Sequence, residues 1–150
     1  MRAFFCKESF YLAGANTIHR FLVTTEQSKV LVRDRVEIWL ADGIVHVVYL
    51  DGAEITPEIK EEMHLVFMEI TGGQKHPFIF ESRGSLWYSR EGREYARAIE
   101  HKQPFLAVAM IAPNLGFRLL AEFYAKFYKP LTPYKVFKTE AESIEWLRSF

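Results

Sequence analysis

The most regular pattern in the chain begins at Val36, where aliphatic and other residues alternate. Every second position of residues 36–40 is aliphatic, a period of two that is typical of a β-strand. Asp42-Gly43 follows, a dipeptide that favours tight hairpin turns because glycine accepts a positive φ. The β-branched run Ile44–Tyr49 comes next. Together these segments predict a β-hairpin.

After the hairpin the apolar spacing changes to that of a helix. Thr56-Pro57 predicts a helix start, because the threonine hydroxyl can accept from a free N–H and proline lacks the N–H that the first turn leaves unpaired. Apolar residues at spacings of four, four and three form one helical stripe, and they are Ile59, Met63, Phe67 and Ile70. Gly72-Gly73 is predicted to end this helix.

Strand and helix patterns then alternate to the end of the chain. The apolar runs predict three strands, at residues 78–80, 105–111 and 134–137. Between and after them, three helices are predicted to begin at Ser89, at Pro113-Asn114 and at the capping box formed by Thr139 and Glu142. Helices between successive strands imply right-handed crossovers and parallel pairing.

The order β-β-α-β-α-β-α-β-α predicts an α/β fold with a mixed, mostly parallel sheet. We expect about five strands, an N-terminal β-hairpin and about four helices. Residues 1–33 have no clean period, and both a helix over 8–22 and strands over 18–24 and 30–32 fit them. We therefore assign 1–35 to an N-terminal extension and 36–150 to the α/β domain.

Composition restricts the partners and the compartment. Lysine plus arginine and aspartate plus glutamate both number 19, so the neutral chain has no basic footprint for nucleic acid or acidic lipid. Cys6 is the sole cysteine and cannot form an intrachain disulfide, which favours the cytoplasm. The apolar stretch 105–120 is interrupted by Pro113-Asn114 and Arg118, so no membrane insertion is expected.

The sequence contains segments that look like catalytic or ligand-binding motifs, but the neighbouring residues and predicted elements argue against each of them. Thr71-Gly72-Gly73-Gln74-Lys75 looks like part of a phosphate-binding loop, but it follows a helix instead of preceding one. No two of the five histidines have the spacing of a local metal pair, and Cys6 has no nearby histidine partner. We therefore expect no enzyme, cofactor or metal. An acid–base site in the loop 82–93 is the weakest alternative.

One candidate interaction surface lies between the third predicted strand and its helix. Ligands and partners collect at the carboxyl ends of strands in open α/β sheets. Trp87-Tyr88 is predicted to be a pair of large aromatics in a loop, which either plug an edge of the core or form a binding face. Ser89 is predicted to be either a helix cap or an acceptor of phosphate. The surface comprises Glu81, Arg83, Trp87, Tyr88, Ser89, Arg90 and Arg93.

A second candidate is the helix over 115–128, which is apolar over more than one stripe. If Leu120 and Phe123 face the sheet, Phe117, Phe127 and Tyr128 cannot all face it as well. The apolar side chains that do not face the sheet must then be covered by the N-terminal extension or by a second subunit, or they line a ligand pocket. The candidate pocket or interface is Phe117, Phe123, Phe127 and Tyr128.

Several of these segments resemble a known family. They are Glu37 to Val45, Thr71-Gly72-Gly73, Ser89-Arg90-Glu91 and Glu145-Trp146-Leu147. They look like a family of small bacterial proteins of uncharacterised function, similar in fold to the STAS domain of sulfate transporters and anti-sigma-factor antagonists. The resemblance covers roughly residues 36–150.

The resemblance implies a protein-interaction module. In anti-sigma-factor antagonists, the helix after the third strand starts with aspartate and then a serine that a kinase phosphorylates. Here Ser89 stands at the aspartate position and Arg90 at that of the phosphoacceptor, so the phospho-switch is in doubt. We expect a non-enzymatic regulatory or interaction protein, and a homodimer with a further protein partner as an option. The alternative is a carrier of a small apolar ligand or lipid.

Overall fold

A computed structural model describes residues 29–150 and contains two sheets and four helices. The main sheet has six strands in the order β1-β2-β3-β5-β7-β8, and β4 pairs with β6 in a second, two-stranded sheet. The strands are β1 Val30–Val32, β2 Val36–Ala41, β3 Ile44–Tyr49, β4 Ala53–Ile55, β5 His76–Ser82, β6 Leu86–Tyr88, β7 Phe105–Ile111 and β8 Tyr134–Phe137. The helices are α1 Pro57–Thr71, α2 Arg90–Ile99, α3 Leu115–Tyr128 and α4 Glu140–Leu147, and a 3₁₀ turn, Glu100–Lys102, follows α2.

The predicted α/β class, hairpin and four helices are confirmed. β2 and β3 form the hairpin, and both Asp42 and Gly43 in its turn have positive φ angles of 50° and 79°. The pairs β3–β5, β5–β7 and β7–β8 are parallel, whereas β1–β2 and β2–β3 are antiparallel. The five expected strands are all present, and the short strands β1, β4 and β6 bring the total to eight.

The second sheet corrects one expectation. Trp87 and Tyr88 lie not in a loop but in β6, where they pair with Glu54 and Ile55 of β4. Three-residue strands contain too few positions to show a period in the sequence. The strand β1 lies within the segment assigned to the N-terminal extension. The other proposals for that extension, and Cys6, lie outside the described residues.

Helices cover both faces of the main sheet. Buried residues of α1, among them Met63 and Phe67, pack against one face together with Phe78 and Phe80, and we call this the α1 face. Leu147 of α4 packs with Ile79 and other residues on the opposite face, the α4 face. The central strands are therefore buried on both sides, as their unbroken apolar runs indicate. No helix among residues 29–150 is long and apolar enough to span a bilayer.

The start of α2 is fastened to β4 by unusually close packing. The backbone N–H and the hydroxyl of Ser89 both donate to the carbonyl oxygen of Ile55, at 3.2 and 3.1 Å. A Cβ on Gly92, one turn later, would lie 2.3 Å from that same oxygen. Glycine is therefore required at position 92 by the approach of α2 to β4.

Substituting this glycine gives a first test of the packing. We expect Gly92→Ala to lower the free energy of unfolding by at least about 1 kcal/mol, because a Cβ cannot be accommodated without moving backbone. Chemical denaturation measures the change. Gly116→Ala is the matched control: it lies in α3 with its nearest neighbour at 3.7 Å, and alanine there should stabilise the helix by a few tenths to about 1 kcal/mol. Equal effects of the two substitutions would contradict the packing.

Candidate functional site

The seven residues of the predicted interaction surface fall into two groups. Glu81 and Arg83 line a cleft on the α4 face, where Arg83 lies 3.6 Å from Glu37. The other five run from Trp87 in β6 to Arg93 in the first turns of α2. Of these, Trp87 is 69% exposed. The interaction surface remains a prediction, and Trp87 is its most exposed large aromatic side chain.

Ser89 is the N-cap of α2, and its hydroxyl both donates and accepts a hydrogen bond. Its Oγ accepts from the N–H of Gly92 at 2.9 Å while its O–H donates to Ile55. The next residues bond locally: Arg90 donates to Glu94 at 2.9 Å, and Arg93 donates to the carbonyl of Tyr88 at 2.6 Å. These contacts hold the start of α2 in place.

The orientation of α3 differs from the expectation. Leu120 and Phe123 do not face the sheet, since they are 63% and 55% exposed, whereas Ala121 is buried. Phe117 and Tyr124 are half-buried. The stripe of Phe117, Ala121 and Tyr124 faces the sheet instead. Because the stripe with Leu120 and Phe123 is equally apolar, periodicity alone cannot predict which of the two is buried.

The outer stripe of α3 is a continuous apolar surface, which we call the α3 face. Its side chains are all more than half exposed, and the rings of Phe123 and Phe127 lie 4.1 Å apart between centroids. The α3 face comprises Leu115, Leu119, Leu120, Phe123, Phe127 and, in the turn after the helix, Leu131. Tyr128 points elsewhere, stacking on Tyr124 at 4.7 Å with Arg97 above its ring.

A lysine on the α1 face lies among aromatic rings. Lys60 belongs to the first turns of α1, and its Nζ lies 3.3 Å from the hydroxyl of Tyr49. The same Nζ is 5.1, 5.8 and 6.0 Å from the ring centroids of Tyr88, Tyr49 and Phe80. Removal of the amine from water lowers the pKa of Lys60 to about 7.

We define the Lys60 cluster as Lys60, the three residues whose rings lie within 6.0 Å of its Nζ, and two further tyrosines that act electrostatically on Tyr49. The rings belong to Tyr49, Phe80 and Tyr88, and the further tyrosines are Tyr124 and Tyr134. Burial raises the pKa of Tyr49 and of Tyr88, and the neighbouring hydroxyl of Tyr124 raises both further. Burial and Tyr124 also raise the pKa of Tyr134. The phenols therefore stay protonated at neutral pH and can donate hydrogen bonds.

Sequence reasoning missed the Lys60 cluster, although one signal was available. Tyr49 and Tyr88 are the last residues of β3 and β6, at the strand ends where ligands collect in such sheets. Lys60 also lies three residues before Met63 and seven before Phe67, on the helical face that is buried. A lysine on an apolar stripe is the pattern to look for.

His46 lies between two clefts on the α4 face. Its ring stacks on Trp39 with centroids 5.0 Å apart, and its Nδ1 is 3.5 Å from Glu140. Desolvation lowers the pKa of His46 against the opposing effect of Glu140. The clefts measure about 190 and 100 Å³, smaller than the roughly 300–1,000 Å³ of typical ligand pockets. The two clefts have room for waters or a small ion.

Comparison with known protein families identifies the family of this chain. The family model for a domain of unknown function, DUF7793, matches residues 38–150. The chain belongs to the DUF7793 family. The matched residues include all four helices, the Lys60 cluster and the α3 face. No curated protein matches the sequence.

A solved structure shows the same fold. It is that of an uncharacterised protein of the DUF3478 family from Shewanella loihica PV-4, described as having a SpoIIAA-like fold. The two proteins share 17% sequence identity with a TM-score of 0.52, over 75% of this chain and 91% of the other. The similarity confirms the predicted STAS-like fold of this DUF7793 protein and extends to the fold alone.

The pH dependence of stability tests the state of Lys60. The unfolded chain has an ordinary lysine pKa near 10.4, so between pH 7 and 10 it binds more protons at this site than the folded chain does. Stability contributed by this site therefore rises with pH across that window. We expect wild type to gain stability relative to Lys60→Met between pH 7 and 9.5, measured by urea denaturation at several pH values. A difference between the two proteins that does not vary with pH would contradict the lowered pKa.

Proposed function

We propose that this chain is a non-enzymatic protein-interaction module whose docking surface is the α3 face, and that the occupant is a second copy of the chain. The α3 face carries the proposal. Six large apolar side chains, each more than half exposed, follow one another along one helix and its C-terminal turn. Monomeric proteins rarely leave contiguous apolar patches of this kind in water.

The spacing of the α3 face suits pairing with itself. Large apolar residues recur every four positions, so their spacing is the same when counted from either end: Leu115, Leu119, Phe123, Phe127 and Leu131. Two copies related by a two-fold axis present identical patches to each other, which requires such self-complementarity. Antiparallel packing of the two α3 helices would bring the axis beside Phe123, at the level of Tyr124 along the helix, with ridges of i±4 residues interlocking.

The charges beside the stripe agree with the same arrangement. Glu122 and Lys126 are both exposed on α3 and lie on either side of its centre, at equal distances from Tyr124. In an antiparallel pair centred there, each Glu122 would lie opposite Lys126 of the partner subunit, and unlike charges would meet twice. The chain as a whole has no net charge, so no long-range repulsion opposes association.

The STAS-like fold supports a regulatory role for this module, exercised in the cytoplasm, and a second protein partner at the exposed Trp87 and Arg90. The carrier of a small apolar ligand stays the alternative proposal. Phe117, Phe123, Phe127 and Tyr128 were the residues expected to line its pocket, and none of them lines either cleft described here.

The α3 face is tested by placing a charge at its centre. We expect wild type to sediment as a dimer at micromolar concentration and Phe123→Glu as a folded monomer, because a carboxylate would be buried in the interface without a partner. Analytical ultracentrifugation gives the mass, and circular dichroism verifies folding. Leu65→Glu is the matched control, since Leu65 is a similarly exposed leucine on α1, at 55%, and this variant should remain dimeric.

Crosslinking and native mass spectrometry of the wild-type protein distinguish a second copy from other covers of the α3 face. A photo-crosslinking residue at position 123 should produce dimer mass; crosslinks within one chain to residues 1–28 would instead mean that this segment covers the α3 face. Native mass spectrometry that finds monomers retaining an apolar small molecule would favour the carrier. Wild type that stays monomeric at 100 µM, a concentration of the order where weak pairs still form, would contradict the dimer.

The antiparallel register is tested by exchanging charges. Glu122→Lys and Lys126→Glu should each weaken the dimer about two- to tenfold, because each brings like charges together twice. The double variant should regain most of the wild-type dissociation constant, since the opposite pairs are restored in reverse. Sedimentation at low salt measures all four proteins. Additive weakening in the double variant would rule out this register.

A further inference from the structure

The amine of Lys60 has no acidic partner in the described part of the chain. Lysine is almost never buried unless an opposite charge accompanies it, yet the polar contact of Nζ is with the phenol of Tyr49. Three aromatic rings form the walls around it. Lys60 as a whole residue is only partly buried, so this cluster lies near the protein surface.

We propose that Lys60 is a covalent binding site for small aldehydes, whose carbonyl carbon condenses with Nζ to form a reversible imine. This inference is independent of the α3 face and of the oligomeric state. A desolvated lysine in an aromatic setting has its lone pair available and unhydrated. The adjacent hydroxyl of Tyr49 can donate to the carbonyl oxygen as charge develops there.

The reaction balances without any further reagent. The Nζ lone pair of the neutral amine attacks the carbonyl carbon, the C=O π electrons move to oxygen, and one of the two Nζ protons passes to that oxygen to give a carbinolamine. The hydroxyl then leaves together with the remaining Nζ proton as water, and the nitrogen lone pair forms the C=N double bond. One amine and one aldehyde thus give one imine and one water, and hydrolysis reverses every step.

The ionisable groups of the neighbouring elements offer no negative charge that would stabilise a protonated amine. Tyr49 from β3, Tyr88 from β6, Tyr124 from α3 and Tyr134 from β8 all have raised pKa values and carry no charge near neutrality. On α2, Arg93 bonds the carbonyl of Tyr88 and adds positive charge on that side.

The acidic groups on α1 itself are engaged elsewhere. The pKa of Glu58 is lowered by a hydrogen bond with Thr56, and Glu61 accepts from Tyr95 of α2. Glu62 pairs with Arg33 at 2.6 Å, and none of the ion pairs among the described residues joins Lys60 to a carboxylate. Rings on three sides favour an aromatic or short apolar aldehyde over a charged one.

Reductive trapping tests the proposal. The full chain is incubated at pH 7 with benzaldehyde and sodium cyanoborohydride, which reduces the imine to a stable amine, and peptide mass mapping locates the label. At this pH an amine with a pKa of about 7 is about half neutral, whereas an ordinary lysine is neutral only to a few parts in ten thousand. We expect Lys60 to be labelled at least about tenfold faster than the exposed Lys75.

Matched variants separate reactivity from folding. Lys60→Arg should lose the fast label and Lys75→Arg should keep it. Tyr49→Phe should slow labelling of Lys60 several-fold while leaving Lys75 unchanged. The labelling rate of Lys60 in wild type should level off above about pH 8, as the amine becomes fully neutral. Labelling of Lys60 no faster than Lys75, or a rate that still rises tenfold per pH unit at pH 9, would overturn the proposal.

Discussion

The contact of Phe67 with the sheet determines where everything on the α1 face lies. Its ring packs edge-on against Phe78 at 4.9 Å and lies 6.4 and 6.0 Å from Phe80 and Phe105. These four rings join α1 to β5 and β7. Removing one ring from such a layer costs about 3–5 kcal/mol, a large part of the roughly 5–15 kcal/mol that stabilises a domain. The rotation of α1 about its axis is therefore fixed.

That rotation forces Lys60 inward. Residues three, four and seven apart share a helix face, so the turn that buries Met63 and Phe67 also turns Lys60 toward Tyr49. The second sheet completes the surroundings. Asp51 accepts from the N–H and hydroxyl of Ser85 at 2.7 and 2.8 Å, which holds β6 beside β4 and brings Tyr88 over the amine. The uncharged surroundings of Lys60 therefore result from contacts that stabilise the fold: the packing of α1 on the main sheet and the pairing of β4 with β6.

The parts that could be predicted from the sequence are those with a long period or a distinctive terminus. The hairpin at Asp42-Gly43, the caps at Thr56 and Ser89 and the unbroken strand β7 all depend on neighbouring residues, and local physics decides them. The strands β4 and β6 could not be predicted this way. Each has three residues, and their pairing depends on side chains such as Asp51 and Ser85, 34 residues apart.

Which side of α3 faces the sheet could not be predicted from the sequence, for a different reason. Leu120 and Phe123 are as apolar as Phe117 and Ala121, so the hydrophobic pattern is satisfied by either orientation. The tertiary structure decides: Ala121 on the inner stripe is buried, and Tyr124 on the same stripe acts electrostatically on the phenols of Tyr49 and Tyr134. An amphipathic pattern identifies a buried face only when the opposite face is polar, and α3 lacks that contrast.

The same helix therefore contributes to both the Lys60 cluster and the α3 face. Its inner stripe supplies Tyr124 to the Lys60 cluster, and its outer stripe supplies the α3 face. In the proposed dimer, burial of Phe123 and Phe127 would exclude water from the outside of α3 and hold Tyr124 and its stacked neighbour Tyr128 in place. A helix apolar on both sides is stable in water only when both sides are covered. The sheet and the Lys60 cluster cover one side, and the requirement for a cover on the other is the physical basis for the proposed dimer.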